Sequence, residues 1–201
     1  MVIRGTTRVR CPACNTEQDV QLVQTIDTRE NPADKDKLLA GELNVLACAC
    51  GKRTQLAANV LFKQDDYYCQ VVPGGEKAMD EAAAAFAASG VDGRRRLVPS
   101  LNALVEKVKL LDAGLDDRPI EMAKVLLLAS IGELDRVLLF DARDADLVHW
   151  VMFDEDGKPE RVSSPVAQIE KLAMRPMARD ELRIDRAWGL EAVKAMVMDA
   201  N

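Results

Sequence analysis

The sequence predicts an α+β protein: a small antiparallel sheet with an inserted helix and two cysteine knuckles, then a helical hairpin, then a C-terminal region of strands and helices. Polar and apolar residues alternate through residues 17–28, as in a half-buried strand, and another strand is predicted at residues 54–63. Apolar residues recur every three or four positions through residues 101–111, and residues 120–128 are apolar nearly all round a helix. The predicted parts are a sheet module at residues 1–74, a helical part at 75–131 and a C-terminal region at 132–201.

The sheet module contains one predicted helix. Asn31 followed by Pro32 is typical of a helix start, because proline has the right φ for the first helical turn and needs no N–H partner there. Gly41 ends this helix, since glycine readily adopts the left-handed conformation that follows many helices. The predicted strands are at residues 6–10, 17–28, 54–63 and 67–72.

Three helices are predicted in the middle of the chain. An alanine-rich helix covers residues 76–89, and two more apolar helices begin near Ser100 and Asp116. The last two form a hairpin that is expected to pack on the sheet. The charged residues of this hairpin are expected to be surface or capping charges: Glu106, Lys107, Asp116, Asp117 and Glu121.

The C-terminal region returns to strands. Two strands are predicted at residues 136–140 and 147–153, and a turn at residues 154–157 leads to a short strand near Arg161. Two helices follow at residues 165–174 and 187–198. The aromatic residues of these strands are expected to offer an apolar contact patch, which would suit self-association: Phe140, Trp150 and Phe153.

Four of the five cysteines form two close pairs, Cys11 with Cys14 and Cys48 with Cys50, separated by 33 residues. Two facing turns of this kind supply four thiolates, which is a ligand set of structural Zn²⁺ sites. A shell closed by four sulfurs leaves no position for water or substrate, so it builds a fold and does not catalyse. The sequence therefore predicts one structural Zn²⁺ bound by Cys11, Cys14, Cys48 and Cys50.

The second pair differs from the usual knuckle, because one residue rather than two separates Cys48 from Cys50. Gly51 nevertheless stands where a knuckle needs it. Three alternatives stay open: a site lost in this chain, a redox dithiol or disulfide formed by Cys11 and Cys14, and completion of the site by Cys69 in place of Cys48. Cys69 lies in an apolar strand and is otherwise a small core residue.

The charge of the chain argues against nucleic acid as a partner. The net charge is −6, and residues 1–74 hold nine basic and nine acidic side chains. A surface that tracks phosphates needs a basic excess, which neither half of the chain has. The one basic run, Arg94-Arg95-Arg96, is expected in a solvated loop or at a strand edge.

The N-terminal residues do not resemble a signal peptide, and the chain has no apolar stretch long enough to span a membrane. We therefore expect a cytoplasmic protein with no membrane partner. Reduced cysteines in that compartment bind metal more readily than they form disulfides.

No catalytic constellation is evident in the sequence. His149 is the single histidine, which excludes any site built on a pair of histidines, and it is expected to have a structural role in a strand. Asp141, Asp144 and Asp146 are expected to be turn residues, because they lack the spacing of a calcium loop. Phosphate-binding glycine loops and nucleophile elbows are also missing. The sequence predicts that the protein is not an enzyme.

A set of short motifs lies between residue 10 and about residue 128: Cys11-Pro12-Ala13-Cys14, Gly41-Glu42-Leu43-Asn44, Cys50-Gly51, Phe62-x-x-Asp65 and residues 104–107 and 115–121. With these motifs the stretch resembles the CpXC domain family, which is named for paired Cys-Pro-x-Cys motifs. Ala47 stands where that family has the first cysteine of its second motif, so Cys48 is displaced by one position. The resemblance implies a bacterial or archaeal protein without established biochemical activity, with zinc held through Cys11, Cys14 and Cys50.

The expected function is a non-enzymatic, zinc-stabilised interaction or adaptor module that binds a protein partner or a second copy of itself. Two other classes stay open. One is a nucleic-acid-linked transcriptional regulator, because zinc ribbons often serve in such proteins. The other is a thiol redox protein that uses Cys11 and Cys14, which would need an accessible sulfur with a lowered pKa.

Overall fold

A computed structural model of the chain describes residues 3–154, 156–175 and 180–198. The chain divides into two units, Met1–Val105 (unit 1) and Glu106–Asn201 (unit 2). The predicted α+β class is confirmed, because both units combine helices with small sheets. The three-part division at residues 74 and 131 stays a prediction about folding units.

Unit 1 contains two hairpins and a four-stranded sheet. Strands β1 and β2 form one antiparallel hairpin, and β4 and β5 form the other. The four-stranded sheet has the order β3-β6-β7-β8 and is accompanied by helices α1 and α2. The elements are β1 (Arg4–Arg10), β2 (Glu17–Val23), β3 (Thr25–Asp27), α1 (Pro32–Leu39), β4 (Val45–Ala47), β5 (Arg53–Gln55), β6 (Val60–Gln64), β7 (Tyr67–Val71), α2 (Glu76–Ala88) and β8 (Arg94–Val98).

The four-stranded sheet is mixed, where the sequence predicted an antiparallel sheet. Strand β6 pairs antiparallel with β7, but β3 pairs parallel with β6 and β7 pairs parallel with β8. Parallel neighbours need a crossover connection, usually a helix. Helix α2 is the crossover from β7 to β8, so the sheet continues beyond the turn at Pro73 where the sequence pattern ended it.

Asn44 explains why the predicted strand at residues 17–28 divides into β2 and β3. Its buried side chain accepts a hydrogen bond from the Val23 N–H (2.8 Å) and donates one to the Val23 carbonyl (3.0 Å). The backbone N–H and carbonyl of Val23, the last residue of β2, are thus hydrogen-bonded to an amide side chain in place of a neighbouring strand. The chain can then leave the first hairpin and enter the four-stranded sheet as β3.

The three consecutive arginines lie in β8, the edge strand of the four-stranded sheet. The sequence predicted a solvated loop or a strand edge, so the edge position is as expected and the burial is not. Arg96 is only 1% exposed. Arg95 donates a hydrogen bond to the Phe86 carbonyl, and Arg94 lies 4.9 Å from the centre of the Tyr67 ring. The run therefore does not form a free basic strip.

Unit 2 contains a three-stranded antiparallel sheet of order β11-β10-β9 and a set of helices. Helix α3 contains the boundary between the units, which falls between Val105 and Glu106. None of the described helices has the length and apolar character needed to cross a membrane. The elements are α3 (Leu101–Asp112), α4 (Asp117–Ser130), β9 (Leu138–Arg143), β10 (Leu147–Phe153), β11 (Pro159–Pro165), α5 (Val166–Ala173) and α6 (Arg186–Met198).

The core of unit 2 includes two of the three aromatic residues that were expected at the surface. Trp150 is fully buried and Phe140 nearly so, with their rings in an edge-to-face arrangement. The prediction of an aromatic contact patch is therefore wrong for these two residues; Phe153 alone is exposed. Strand alternation is the reason, because Trp150 lies on the face of β10 that packs on the helices. In the predicted turn after β10, Glu155 lies outside the described residues.

Five charged side chains are buried together in unit 2, where the sequence placed helix-surface charges. Lys124 lies 2.7 Å from Glu106 and 2.9 Å from Glu121. Lys107 lies 2.8 Å from Asp117 and donates a hydrogen bond to the Ile184 carbonyl. We call this group the buried ion cluster: Glu106, Lys107, Asp117, Glu121 and Lys124.

The buried ion cluster joins the helices to the rest of unit 2. Glu106 accepts a hydrogen bond from the Phe140 N–H at 2.6 Å, so α3 is tied to β9. Three carboxyl groups face two ammonium groups, and burial raises the pKa of Glu121 in spite of Lys124 and Lys107. Burial lowers the pKa of Lys124, but the carboxylates of Glu106 and Glu121 raise it overall. Lys124 is thus held charged by its partners.

We predict that Lys124 is required for the stability of unit 2. The substitution Lys124→Met removes the cation shared by Glu106 and Glu121 and leaves two carboxyl groups facing each other in a buried site. Breaking a buried pair in this way costs about 3–5 kcal/mol of unfolding free energy. Urea denaturation followed by tryptophan fluorescence measures the loss, because both tryptophans, Trp150 and Trp188, lie in unit 2.

The matched control is Lys194→Met in α6. Lys194 pairs with Glu191 at 2.7 Å with the same i, i+3 spacing, but both side chains are exposed. Exposed pairs contribute little to stability, so this substitution should leave the urea midpoint unchanged. Equal effects of the two substitutions would contradict the assigned role of the buried ion cluster.

Candidate metal centre

The first cysteine pair lies in the turn of the β1–β2 hairpin. The turn begins after Arg10, which is the last residue of β1 and pairs with Glu17. The Cys11 N–H donates to the Thr16 carbonyl, and the Asn15 N–H donates to the Cys11 carbonyl, both at 2.9 Å. Asn15 has φ 59°, a left-handed conformation that asparagine tolerates better than most residues. The turn therefore folds back on Cys11 and presents both sulfurs on one side.

The second pair lies in the turn of the β4–β5 hairpin and repeats this construction with one residue fewer. The Cys48 N–H donates to the Lys52 carbonyl, and the Gly51 N–H donates to the Cys48 carbonyl at 2.9 Å. Gly51 has φ 87° and follows Cys50 as Asn15 follows the first pair. The tighter turn compensates for the missing residue between Cys48 and Cys50.

The structure brings all four predicted ligands together. Their sulfur atoms all lie within 4.8 Å of one another. Cys11 and Cys50 are 3.7 Å apart, and Cys14 and Cys48 are 3.5 Å apart. Four sulfurs at about 2.3 Å from one Zn²⁺ would be about 3.8 Å apart, whereas a disulfide needs about 2.0 Å. The arrangement can bind one metal ion, and it is not that of a disulfide.

The cysteine cluster rests on a small apolar base. Cys11 and Cys48 are buried and Cys14 and Cys50 are exposed, so the two hairpins contribute one inner and one outer sulfur each. Leu46 is buried beside the inner sulfurs. Partly buried apolar residues from both hairpins complete this base: Val9, Val20 and Leu56.

The four thiols differ in acidity. The Thr16 hydroxyl and its backbone N–H, with help from Cys48, lower the pKa of Cys14 to about 6. Backbone N–H groups of the first turn lower the pKa of Cys11. The Cys50 N–H lowers the pKa of Cys48, but the contact with Cys14 and burial raise it to about 12 overall. Neighbouring thiols cannot all ionise without a cation among them, so a bound cation is favoured here.

Cys69, the alternative fourth ligand, is placed away from the cluster. It lies in β7, fully buried, and is paired with Phe62 of β6 in the four-stranded sheet. Cys48 occupies the fourth position of the cysteine cluster. The assignment of Cys11, Cys14, Cys48 and Cys50 as ligands remains a prediction that metal binding must test.

Arginines near the cluster are paired with acidic side chains. Arg8 lies 3.0 Å from Asp19 and Arg10 lies 2.7 Å from Glu17, in both cases across the β1–β2 hairpin. These cross-strand pairs neutralise the strand that leads to Cys11. The hairpin consequently does not present a row of free cations.

His149 makes a polar cluster that sequence analysis did not find. Its Nε2 lies 2.8 Å from the Asp144 carboxylate and its Nδ1 lies 2.9 Å from the Ser163 hydroxyl. Asp144 also accepts hydrogen bonds from the N–H groups of Asp146 and Leu147. The bond from Leu147 is the main cause that lowers the pKa of Asp144 to about 2. Asp144 therefore shapes the β9–β10 turn, and His149 ties that turn to β11. Sequence analysis missed this cluster because it depends on the register between β10 and β11, which puts His149 opposite Ser163.

The chain was compared with protein families, curated proteins and solved structures. The family model described as CpXC protein matches residues 9–124, which is more than half of the chain. No curated protein matches the chain. No solved structure matches it either.

We predict that Cys14 is the first thiol to react in the metal-free protein. Because its pKa is about 6, its thiolate fraction and alkylation rate should rise as the pH increases from about 5 to about 7. Cys48 should stay protonated and slow over this range. Timed alkylation with iodoacetamide in reducing, chelator-treated buffer, mapped by mass spectrometry, measures both rates. Cys69 is the internal control, because its burial should keep it unreactive.

Identical pH profiles for Cys14 and Cys48 would contradict the different surroundings of the two sulfurs. Metal added before the alkylating agent should protect both residues, because the thiolates are then occupied.

Proposed function

We propose, since the chain belongs to the CpXC protein family, that it is a non-enzymatic interaction module whose first unit is stabilised by a structural zinc ion. The observation that carries this proposal is the convergence of four cysteine sulfurs from two separate hairpins. A metal with four protein ligands has no open coordination position. The centre would therefore hold the hairpins together and would not activate water or substrate.

Zinc fits the donor set better than other common cations. Thiolates are soft ligands that select zinc, copper(I) or iron–sulfur clusters, whereas magnesium and calcium prefer oxygen. Cysteine knuckles of this kind are typical of structural zinc. Cys11, Cys14, Cys48 and Cys50 would hold the ion, and its binding energy would contribute to the folding of unit 1.

The proposed partner is another protein, including a second copy of this chain. Several large apolar residues of unit 2 are exposed at the end of α4 and in the segment that follows it, as expected of a contact surface. They are Leu126, Ile131, Leu134 and Val137. The cytoplasm is the proposed location, because all five cysteines are free thiols in this fold.

The two competing functions have less support. A redox dithiol at Cys11 and Cys14 would leave Cys48 and Cys50 without a purpose, although their sulfurs lie 3.5–3.7 Å from the first pair. A nucleic-acid-binding surface would need unpaired cations. Arg8 and Arg10 are paired with acids, and Arg96 is buried.

We predict about one zinc ion per chain in protein purified under reducing conditions. If Cys48 is the fourth ligand, Cys48→Ser and Cys14→Ser should lose zinc equally readily to a competing chelator. Cys69→Ser is the matched control and should retain zinc like the unchanged protein, because Cys69 lies outside the cluster. Elemental analysis and chelator competition measure these outcomes.

Absence of metal with four freely titratable thiols would rule out the zinc centre. A Cys48→Ser protein that retains zinc would instead show that the four-ligand set is wrong.

We also predict that capture of a protein partner depends on the metal centre. Crosslinking and sedimentation of the zinc-loaded protein should show a complex, either with itself or with a protein from cell extract. Cys11→Ser should weaken that complex, since loss of a ligand loosens unit 1. At physiological salt, DNA and RNA should show no sub-micromolar binding. Tight binding of nucleic acid with a steep salt dependence would favour the regulator instead.

A further inference from the structure

A groove in unit 2 lies above the second half of α4, with α5 on one side and α6 on the other. Its volume is about 450 Å³. Its walls are mostly apolar, and its polar lining is concentrated on the α5 side. The residues that carry the argument are Ala123, Leu127, Leu172, Met196, Lys171 and Arg175.

Helix α4 is the floor of the groove, and the two walls, α5 and α6, are both packed against it. Helix α5 is anchored by the buried side chains of Ile169 and Leu172. Helix α6 approaches α4 so closely that a Cβ on Gly189 would lie 2.9 Å from the Glu121 carbonyl oxygen. A wider residue than glycine would push α6 away from α4. The groove is therefore preformed, which reduces the entropy cost of binding a ligand.

The charged residues of the groove are all basic, although unit 2 is acidic. Residues 106–201 hold 20 acidic and 14 basic side chains. Lys171 in the last turn of α5 and Arg175 just beyond the end of that helix both lie at the edge of the groove. Among the residues that the structure describes, neither side chain has an ion-pair partner. The neighbouring acid, Glu170, is directed instead to Arg143 at 3.8 Å.

We propose that this groove binds a small amphiphilic anion, with an alkyl chain between α5 and α6 over α4 and a carboxylate beside Lys171 and Arg175. The volume of about 450 Å³ falls within the range of small-molecule sites. Apolar lining with a few polar groups at one side selects a ligand with one apolar and one charged end. This site goes beyond the proposed function and does not depend on the metal, because all its residues lie in unit 2.

The test uses the full-length, zinc-loaded protein and dodecanoate below its micellar concentration. Isotope-edited NMR should show saturable shifts of the methyl groups of Ala123, Leu127, Leu172 and Met196. Dodecyltrimethylammonium, which has a similar alkyl chain and the opposite charge, should bind at least about tenfold more weakly. Butyrate should also bind weakly, because it buries too little apolar surface.

The matched variants are Lys171→Glu in the groove and Lys158→Glu in the turn before β11, which both reverse one exposed charge. Lys171→Glu should weaken dodecanoate binding about three- to tenfold, and Lys158→Glu should leave it unchanged. Thermal unfolding checks that both variants remain folded. Equal binding of the anionic and cationic amphiphiles, unsaturable shifts, or equal affinity of the two variants would overturn the proposal.

Discussion

The meeting of four cysteine sulfurs is the constraint on which unit 1 depends. Each contributing hairpin has only two strands, and isolated hairpins of this size are marginally stable in water. Here the sulfurs lie within 4.8 Å of one another above a base of few apolar residues. The Thr16 hydroxyl and N–H lower the pKa of Cys14 to about 6. At Cys48 the Cys50 N–H lowers the pKa, but the contact with Cys14 and burial raise it to about 12 overall. A metal ion bound among the four sulfurs would join the two hairpins.

The cysteine cluster could be predicted from the local sequence, but the strand pairing of the four-stranded sheet in the same unit could not. Cysteine spacing and the residues that follow each pair, Asn15 and Gly51, encode both turns within a few positions. The division between β2 and β3 depends instead on Asn44, which binds Val23 from 21 residues away. The parallel pairing of β7 with β8 likewise arises through a helical crossover. Such contacts between distant residues leave no periodic signal in the sequence.

The buried ion cluster could not be predicted from helical periodicity, for a different reason. An apolar face predicts which residues are buried, and it assigns charged residues such as Glu106 and Lys107 to solvent. Charged side chains are buried only when partners satisfy them, and those partners come from β9 and from the segment before α6. The single-helix pattern contains neither partner. The same argument explains Arg96, whose burial depends on neighbours that the Arg-rich run does not reveal.

The family match covers the cysteine cluster but not the walls of the groove. Residues 9–124 include the four cysteines and every member of the buried ion cluster, so membership in the CpXC family is consistent with a shared structural frame. Helices α5 and α6 lie beyond the match, and they form both walls of the groove. The proposed anion site is therefore formed largely by this chain's C-terminal segment. The proposed metal centre would stabilise the matched region, whereas both walls of the groove lie outside it.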